Sequence, residues 1–238
     1  LKQLNLDIVW DGHYNGGIMV KSTERVRFHK DRFLVISEEK REQILNAAIH
    51  EFAKNGFNGT SINKVAKRAN ISIGAMYSYF ESKDDLFLTV VEKMFEILEL
   101  AIKDVDVSRD IFEIIEELFY RAHNYAITYP EMNQIYLDFS TQSLSHLSQK
   151  VSYRLESISK DMYHKVIEKA KVNKRLDENL DTGIISVMVD NMIMMYHFSF
   201  ASDYYKQRMK LFVGDKYYND EKELIHEIMK VIKKAIKP

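Results

Sequence analysis

Breakers are scarce in this chain: its 238 residues include two prolines and eight glycines. A fold of many strands needs frequent tight turns, and Gly and Pro supply most of them. Good helix formers, Ile, Leu, Lys, Glu and Met among them, are plentiful instead. The expected fold is therefore all-α. With 46% apolar residues, a chain of this length can bury one large core or two modest ones.

Cysteine is absent, which excludes disulfides, thiol catalysis and Cys-based zinc sites and is compatible with a reducing cytosol. No run of about 18 consecutive apolar residues occurs, and the first residues lack the basic-then-apolar layout of a signal peptide. The expectation is a soluble, cytoplasmic protein with no membrane partner. A formal net charge of -1 says nothing about partners, because a basic patch can be offset elsewhere. Local charge decides instead.

Residues 1–36 have no helical period and carry the only tryptophan, Trp10, with Gly12, Gly16 and Gly17. They read as an N-terminal extension, flexible or in part a non-native start. Met19, just behind Gly16-Gly17, is a candidate natural start, since a purine-rich ribosome-binding site would translate as glycines. Lys21, Arg25, Arg27, Lys30 and Arg32 stand against Glu24 and Asp31. That pattern fits either a plain arm or a basic arm lying near a polyanion.

From Ser37 the signal becomes helical. Ile44, Leu45, Ala48 and Phe52 repeat at helical spacing behind acidic Glu38 and Glu39, and Asn55-Gly56 closes the run. A short second helix follows, capped by Thr60 or Ser61, with Ile62, Val65, Ala66 and Ala69 on one face and Lys64, Lys67 and Arg68 on the other. Asn70 tolerates the left-handed backbone that a sharp turn needs. Ser72 then caps a third helix whose inner face is Ile73, Met76, Tyr77 and Phe80, and whose outer face shows Gly74, Ala75, Ser78 and Tyr79. A helix, a tight turn and a small-residue face make a helix-turn-helix. Ser82 with Asp85 caps a fourth helix through Leu86, Val90, Met94, Phe95 and Leu98. Further helices are expected over Ser108–Tyr129, stopped by Pro130, then Glu131–Ser143, Val151–Lys171, Asp181–Tyr204 and Asn219–Lys237.

The string Ile44-Leu45, Ala47-Ala48, Phe52, Gly56-Phe57, Thr60-Ser61-Ile62, Val65-Ala66, Ala69, Ile71-Ser72, Gly74, Met76-Tyr77, Tyr79-Phe80, Lys83 and Leu86 resembles the DNA-binding domain of the TetR family of transcriptional regulators. Asn70 stands where the family usually has Gly. The resemblance implies residues 37–84 as a DNA-binding domain and residues 85–238 as a helical effector-binding and dimerisation domain. It implies a dimeric repressor or activator whose third helix enters the major groove of double-stranded DNA. The expected reading is a homodimeric repressor of a palindromic operator, released by a small effector that Met and aromatic richness suggests is apolar or amphipathic.

The residue chemistry is compatible with that role. Gly74 and Ala75 let a helix backbone approach base edges, Ser72 and Ser78 can hydrogen-bond there, and Ile73 can meet a thymine methyl. Phosphate contacts are expected from Thr60 and Ser61, from the Tyr77 and Tyr79 hydroxyls, and from Lys83. Tyr77 and Tyr79 also fit a purely packing role, and Lys64, Lys67 and Arg68 a solvated face. A helical interaction module that no longer binds DNA is the alternative function.

Catalytic readings fail. His50-Glu51 and His226-Glu227 begin like a zinc-protease motif, but Lys54 and Lys230 occupy the second histidine's place. No catalytic residue, metal ligand or cofactor is assigned. In the C-terminal part, polar groups within apolar helical runs are the effector candidates: His123, Tyr136, Tyr163, Asn191 and His197, with Phe119, Phe139 and Met195 as apolar lining. Residues 184–200 are apolar nearly all round. By analogy with the family's paired final helices, Met188, Met192, Ile225, Ile228, Met229 and Ile232 are the dimer-interface candidates.

Overall fold

The computed structural model describes residues 27–238, so Trp10, the Met19 start and, of the basic arm, Lys21 and Arg25 lie outside the described residues. The chain folds into α1 (Asp31–Leu34), α2 (Glu38–Gly59), α3 (Ile62–Arg68), α4 (Ile73–Tyr79) and α5 (Lys83–Lys103). It continues through α6 (Ile111–Thr128), α7 (Pro130–Phe139), a 3-10 turn (Gln142–Leu144), α8 (Ser145–Val172), α9 (Thr182–Ala201), α10 (Asp203–Tyr218) and α11 (Glu221–Ile236). The all-α expectation holds for the described residues.

Side-chain caps set most of the starts. Ser37, Ser72 and Ser82 accept from the N–H groups of Lys40, Ala75 and Asp85 at 3.3, 3.0 and 3.1 Å. Asp110 and Asp181 do the same for α6 and α9, each at 2.9 Å. Each cap pairs a donor that a helix start otherwise leaves open. Pro130 both ends α6 and occupies the first turn of α7, where its missing N–H costs nothing.

Four expectations need correction. Residues 27–36 are not a loose extension: Phe33 is fully buried, with its ring 4.9 Å from that of Phe80. A four-residue turn of helix carries too little periodicity to reveal itself. The expected Asp181–Tyr204 helix breaks at Ser202, whose backbone is extended. Beyond it, α10 escaped the sequence reading because it buries none of its residues and so carries no apolar stripe. Helix α8 starts six residues earlier than read, behind the turn that buries Leu144.

The interior divides into two apolar clusters. The first gathers Phe33, the inner faces of α2 to α4, most of α5, and also Met132, Ile135 and Phe139 of α7 with Leu147 and Val151 of α8. The second lies among α6, α8, α9 and α11. Helix α7 is thus packed into the same core as the helix-turn-helix, although it lies well past the expected boundary at residue 84.

Candidate nucleic-acid interface

Helix α4 is seven residues long and cannot stand alone in water. Met76 and Phe80 plant it in the first cluster, and the Tyr79 ring lies 5.9 Å from Phe33. Against the expected inner face, Ile73 and Tyr77 turn outward and Tyr79 packs inward, because Met76 and Phe80 alone suffice to plant so short a helix. The outer face carries Ser72, Ile73 and Gly74, all exposed, with Ala75 and Ser78 half-buried and Tyr77 48% exposed. Ser72 is occupied as the cap, and Ser78 donates back to the Ala75 carbonyl at 2.7 Å. The turn before α4 is made by Asn70 at φ 49, the left-handed backbone anticipated for it.

Gly74 has an ordinary helical backbone and open space beside it. A Cβ built there meets nothing nearer than the Ser72 hydroxyl at 3.9 Å. No intramolecular contact therefore requires glycine, yet a helical glycine costs about 1 kcal/mol relative to alanine. The face is bare toward solvent. At 1.5 Å per residue α4 is roughly 10 Å long, which suits a major groove about 12 Å wide.

Two expected phosphate contacts point elsewhere. Thr60 is only 4% exposed, and its hydroxyl is directed at the Glu51 and Gly56 carbonyls, 2.9 and 2.7 Å away. Lys83 donates to the carbonyls of Phe57 and Thr60 at 2.9 and 3.3 Å and lies 4.4 Å above the Phe57 ring. Both residues tie down the elbow between α2 and α3. The reason is Gly56, whose φ of 67° kinks the end of α2 and turns these carbonyls inward. Ser61, by contrast, makes no side-chain cap bond at the start of α3.

The cations around α3 also separate. Arg68 donates to Glu51 at 2.7 Å, and this bond holds the Glu51 carboxyl below its usual range. Lys64 and Lys67 are exposed and make no hydrogen bond or ion pair among the described residues, although the Lys64 charge also acts on Glu51.

The elbow is gripped from the other body as well. The Phe57 N–H donates to Asp138 on α7 at 2.7 Å, and Glu131 at the start of α7 meets His50 on α2 at 2.7 Å. Neither acid was singled out by motif, because the partners lie 81 residues away in sequence.

In the C-terminal body the effector candidates scatter. His123 and Tyr196 sit together among Phe119 and Phe200; neither His123 Nδ1 nor the Tyr196 hydroxyl has a hydrogen-bond partner among the described residues, and Glu221 lies 3.9 Å from His123 Nδ1. Tyr196 was missed, although it lies in the same apolar run that brought His197 to notice. His197 instead bonds the Ala122 carbonyl at 3.1 Å, and burial lowers its pKa. The Tyr136 hydroxyl finds only the Met194 sulfur at 3.7 Å, and burial, with the charges of Glu156 and Asp190, pushes it up to about 12. Tyr163 is buried against Asp190.

Phe139 belongs to the first cluster, 6.4 Å from Phe95, and Tyr136 packs against that same cluster, whereas Phe119 and Tyr163 belong to the second. Asn191 and Met195 are exposed on α9, because the helix is only partly covered. The space bounded by Ile114, Met162, Tyr163 and Val189 is about 10 Å³, too small for a ligand. A hollow of about 460 Å³ opens instead between α2, α5 and the α6–α7 corner, lined by Lys93, Tyr129, Glu131 and Met132.

The dimer candidates divide in the same way. Ile225, Met229 and Ile232 are buried in the chain's own second cluster, because the α11 stripe faces α6 and its neighbours. Met192 and Ile228 are half-buried, whereas Met188 is exposed. Helix α9 leaves Ile184, Val187, Met188, Asn191 and Met195 open on one stripe.

Residues 44–90 match the model of the bacterial regulatory proteins of the tetR family. The fatty acid metabolism regulator protein of Bacillus subtilis (strain 168) is 34% identical over 64 residues, 26% of this chain and 33% of that one. The transcriptional regulator QacR of Staphylococcus aureus is 26% identical over 159 residues, covering 64% of this chain and 81% of QacR. The match to the repressor SCO4008 of Streptomyces coelicolor covers 62% of that protein, so the likeness to the first relatives spans less than two thirds of their length. Among solved structures, a TetR family regulator from Chloroflexus aurantiacus superposes with a TM-score of 0.61 at 18% identity, over 88% of this chain and 99% of that one. Bacillus subtilis FadR in complex with stearoyl-CoA gives 0.63 at 16% identity, over 80% and 96%. At these identities the structures show a shared fold.

Proposed function

We propose, for a chain that belongs to the TetR family of bacterial transcriptional regulators, a homodimeric repressor that a small apolar or amphipathic effector releases from a palindromic operator. The bare face at Gly74 carries this reading: glycine there relieves no internal contact, and it suits close approach to base edges. Ile73, Ala75, Tyr77 and Ser78 surround it as reading or phosphate-contacting groups, with Ser61, Lys64 and Lys67 at the flank.

Two such helices held about 34–36 Å apart fit successive major grooves. An effector that prefers another spacing by about 2.7 kcal/mol lowers operator affinity about 100-fold. The link is α7. It contacts the α9 end through Gln134 on the Ala201 carbonyl at 2.6 Å and through Tyr136 against Phe198, and it grips α2 at His50 and Phe57. A shift of α7 therefore reaches the reading unit. Polar anchoring of the effector falls to Tyr196 and His123: the Tyr196 hydroxyl is buried without a hydrogen-bond partner, at a cost on the order of 1–3 kcal/mol until one arrives, and His123 Nδ1 faces Glu221 at 3.9 Å, beyond hydrogen-bond length. The body around them must open to admit one, and Met192 and Phe200 nearby are adaptable lining.

The experiment is binding of the dimer to DNA from upstream of its own gene, followed by fluorescence anisotropy against salt. Affinity should fall steeply as salt rises, and Gly74→Leu should abolish specific binding while leaving helicity and oligomeric state unchanged. Binding by Gly74→Leu at the unmodified affinity would sink the reading, and no DNA binding at all would favour the interaction module. Because FadR has been seen with stearoyl-CoA, a long-chain acyl-CoA is the first effector probe.

A further inference from the structure

The far end of the recognition helix is held by a segment outside the helix-turn-helix. Lys30 donates its backbone N–H to the Tyr79 carbonyl at 2.8 Å and its ammonium to the Tyr77 carbonyl at 2.9 Å. These are among the last carbonyls of α4, which lack helical partners, and a cation at a helix C-terminus is favoured by the dipole. The same ammonium meets Glu81 at 2.6 Å, and Phe33 fixes the segment by burial between His29 and Phe80.

Arg27 and Arg32 lie on either side of this anchor. Both are exposed, and neither has an ion-pair or hydrogen-bond partner among the described residues. Three residues of extended chain reach at most about 10 Å, so Arg27 stays within that distance of Lys30, and Arg32 stays closer. From Arg27 to Arg32 the chain carries three cations and one acid, Asp31. The nearby Glu81 is already paired with Lys30.

A helix about as long as the major groove is wide ends against the phosphate strand that bounds the groove. Cations held at that end lie beside phosphates rather than above bases. We propose that Arg27 and Arg32, positioned by Lys30, contact phosphates at the flank of each half-site and extend the DNA interface beyond the helix-turn-helix. This rests on the reading that α4 enters the major groove.

Counterion release gives the test a number. Each phosphate contact contributes about 0.9 to the slope of log affinity against log salt, so losing both lowers the slope by about 1.8 per bound protomer. At 0.15 M salt the same relation gives roughly a 30-fold weaker complex per protomer. The measurement is anisotropy with upstream DNA and, separately, with a mixed-sequence duplex, for Arg27→Ala with Arg32→Ala and for the paired Lys variants. The Ala pair should lose slope on both duplexes, and the Lys pair should retain it, because charge is what releases counterions. An unchanged slope in the Ala pair overturns the proposal, as does equal loss in the Lys pair, which would mean a structural role. Absence of binding by the unmodified protein overturns the reading of α4 itself, and that result is visible before any variant is made.

Discussion

Asp190 is an acid in the wrong solvent. It lies beside Tyr163, burial raises its pKa against the help of that hydrogen bond, and no cation among the described residues offsets the cost. Glu156 is raised first by burial and then by the Asp190 charge. A carboxyl whose folded pKa is raised stabilises the fold below its unfolded value, near 3.8 for Asp190, and loses that contribution as pH climbs through the raised value. At neutral pH, above the ordinary carboxyl range, Asp190 is therefore a net cost. Asp190→Asn, which keeps an acceptor for Tyr163, should raise the unfolding midpoint at pH 7, by roughly 2–4 °C for each kcal/mol recovered. The gain should shrink toward zero as pH approaches 4. Thermal melts at the two pH values check it, and a variant less stable at pH 7 would mean the charge is used. Single residues also mark the limit of sequence reading. Met76, Phe80 and Asn70 behaved as spacing and backbone tolerance foretold. Thr60 and Lys83 did not, because the string of residue types fixes their positions while the kink at Gly56 fixes their direction.

At the scale of elements, α7 does more than its ten residues suggest. Asp138 accepts the Phe57 N–H just past the kink, where a broken helix leaves backbone groups unpaired. Removing the carboxylate leaves that N–H without its partner, at a cost of about 1–3 kcal/mol. Asp138→Ala should therefore lower stability by that amount and weaken DNA binding, since the elbow orients α3 and α4. Asp138→Asn, which retains an acceptor, should lose less of both. Urea titration with parallel DNA binding measures the pair, and stability lost without any change in affinity would confine Asp138 to the fold. The helices of the reading unit were legible because each has a capping Ser or an apolar period of its own. Helix α10 starts behind Ser202, which makes no side-chain cap bond, and has no apolar period to follow it, and the Asp138 contact crosses 81 residues that no local pattern connects.

For the whole molecule, the proposed homodimer raises the question of which face would meet a second copy. In the sequence α11 carries an apolar stripe and α9 is apolar nearly all round, and the pattern alone cannot say which apolar face meets its own chain and which another. Packing separates them: Ile225 on α11 is 0% exposed, while Val187 and Met188 on α9 are 50% and 51% exposed. Ile184, Val187, Met188, Asn191 and Met195 fall at i, i+3, i+4, i+7 and i+11, a seam that two antiparallel copies of α9 can share about a twofold axis. Burying one such aliphatic side chain contributes about 1.5–3 kcal/mol, and an isologous contact counts each residue twice. Val187→Glu with Met188→Glu should accordingly give a folded monomer, because neither side chain is needed by its own chain. Operator affinity should collapse, since the two reading heads then bind independently and lose their effective concentration. Ile225→Glu should instead unfold the subunit, because it places a charge in the second cluster. Sedimentation equilibrium with circular dichroism distinguishes the two variants. A dimeric α9 double variant would move the interface off this stripe, and with it the geometry that sets the spacing of the two recognition helices.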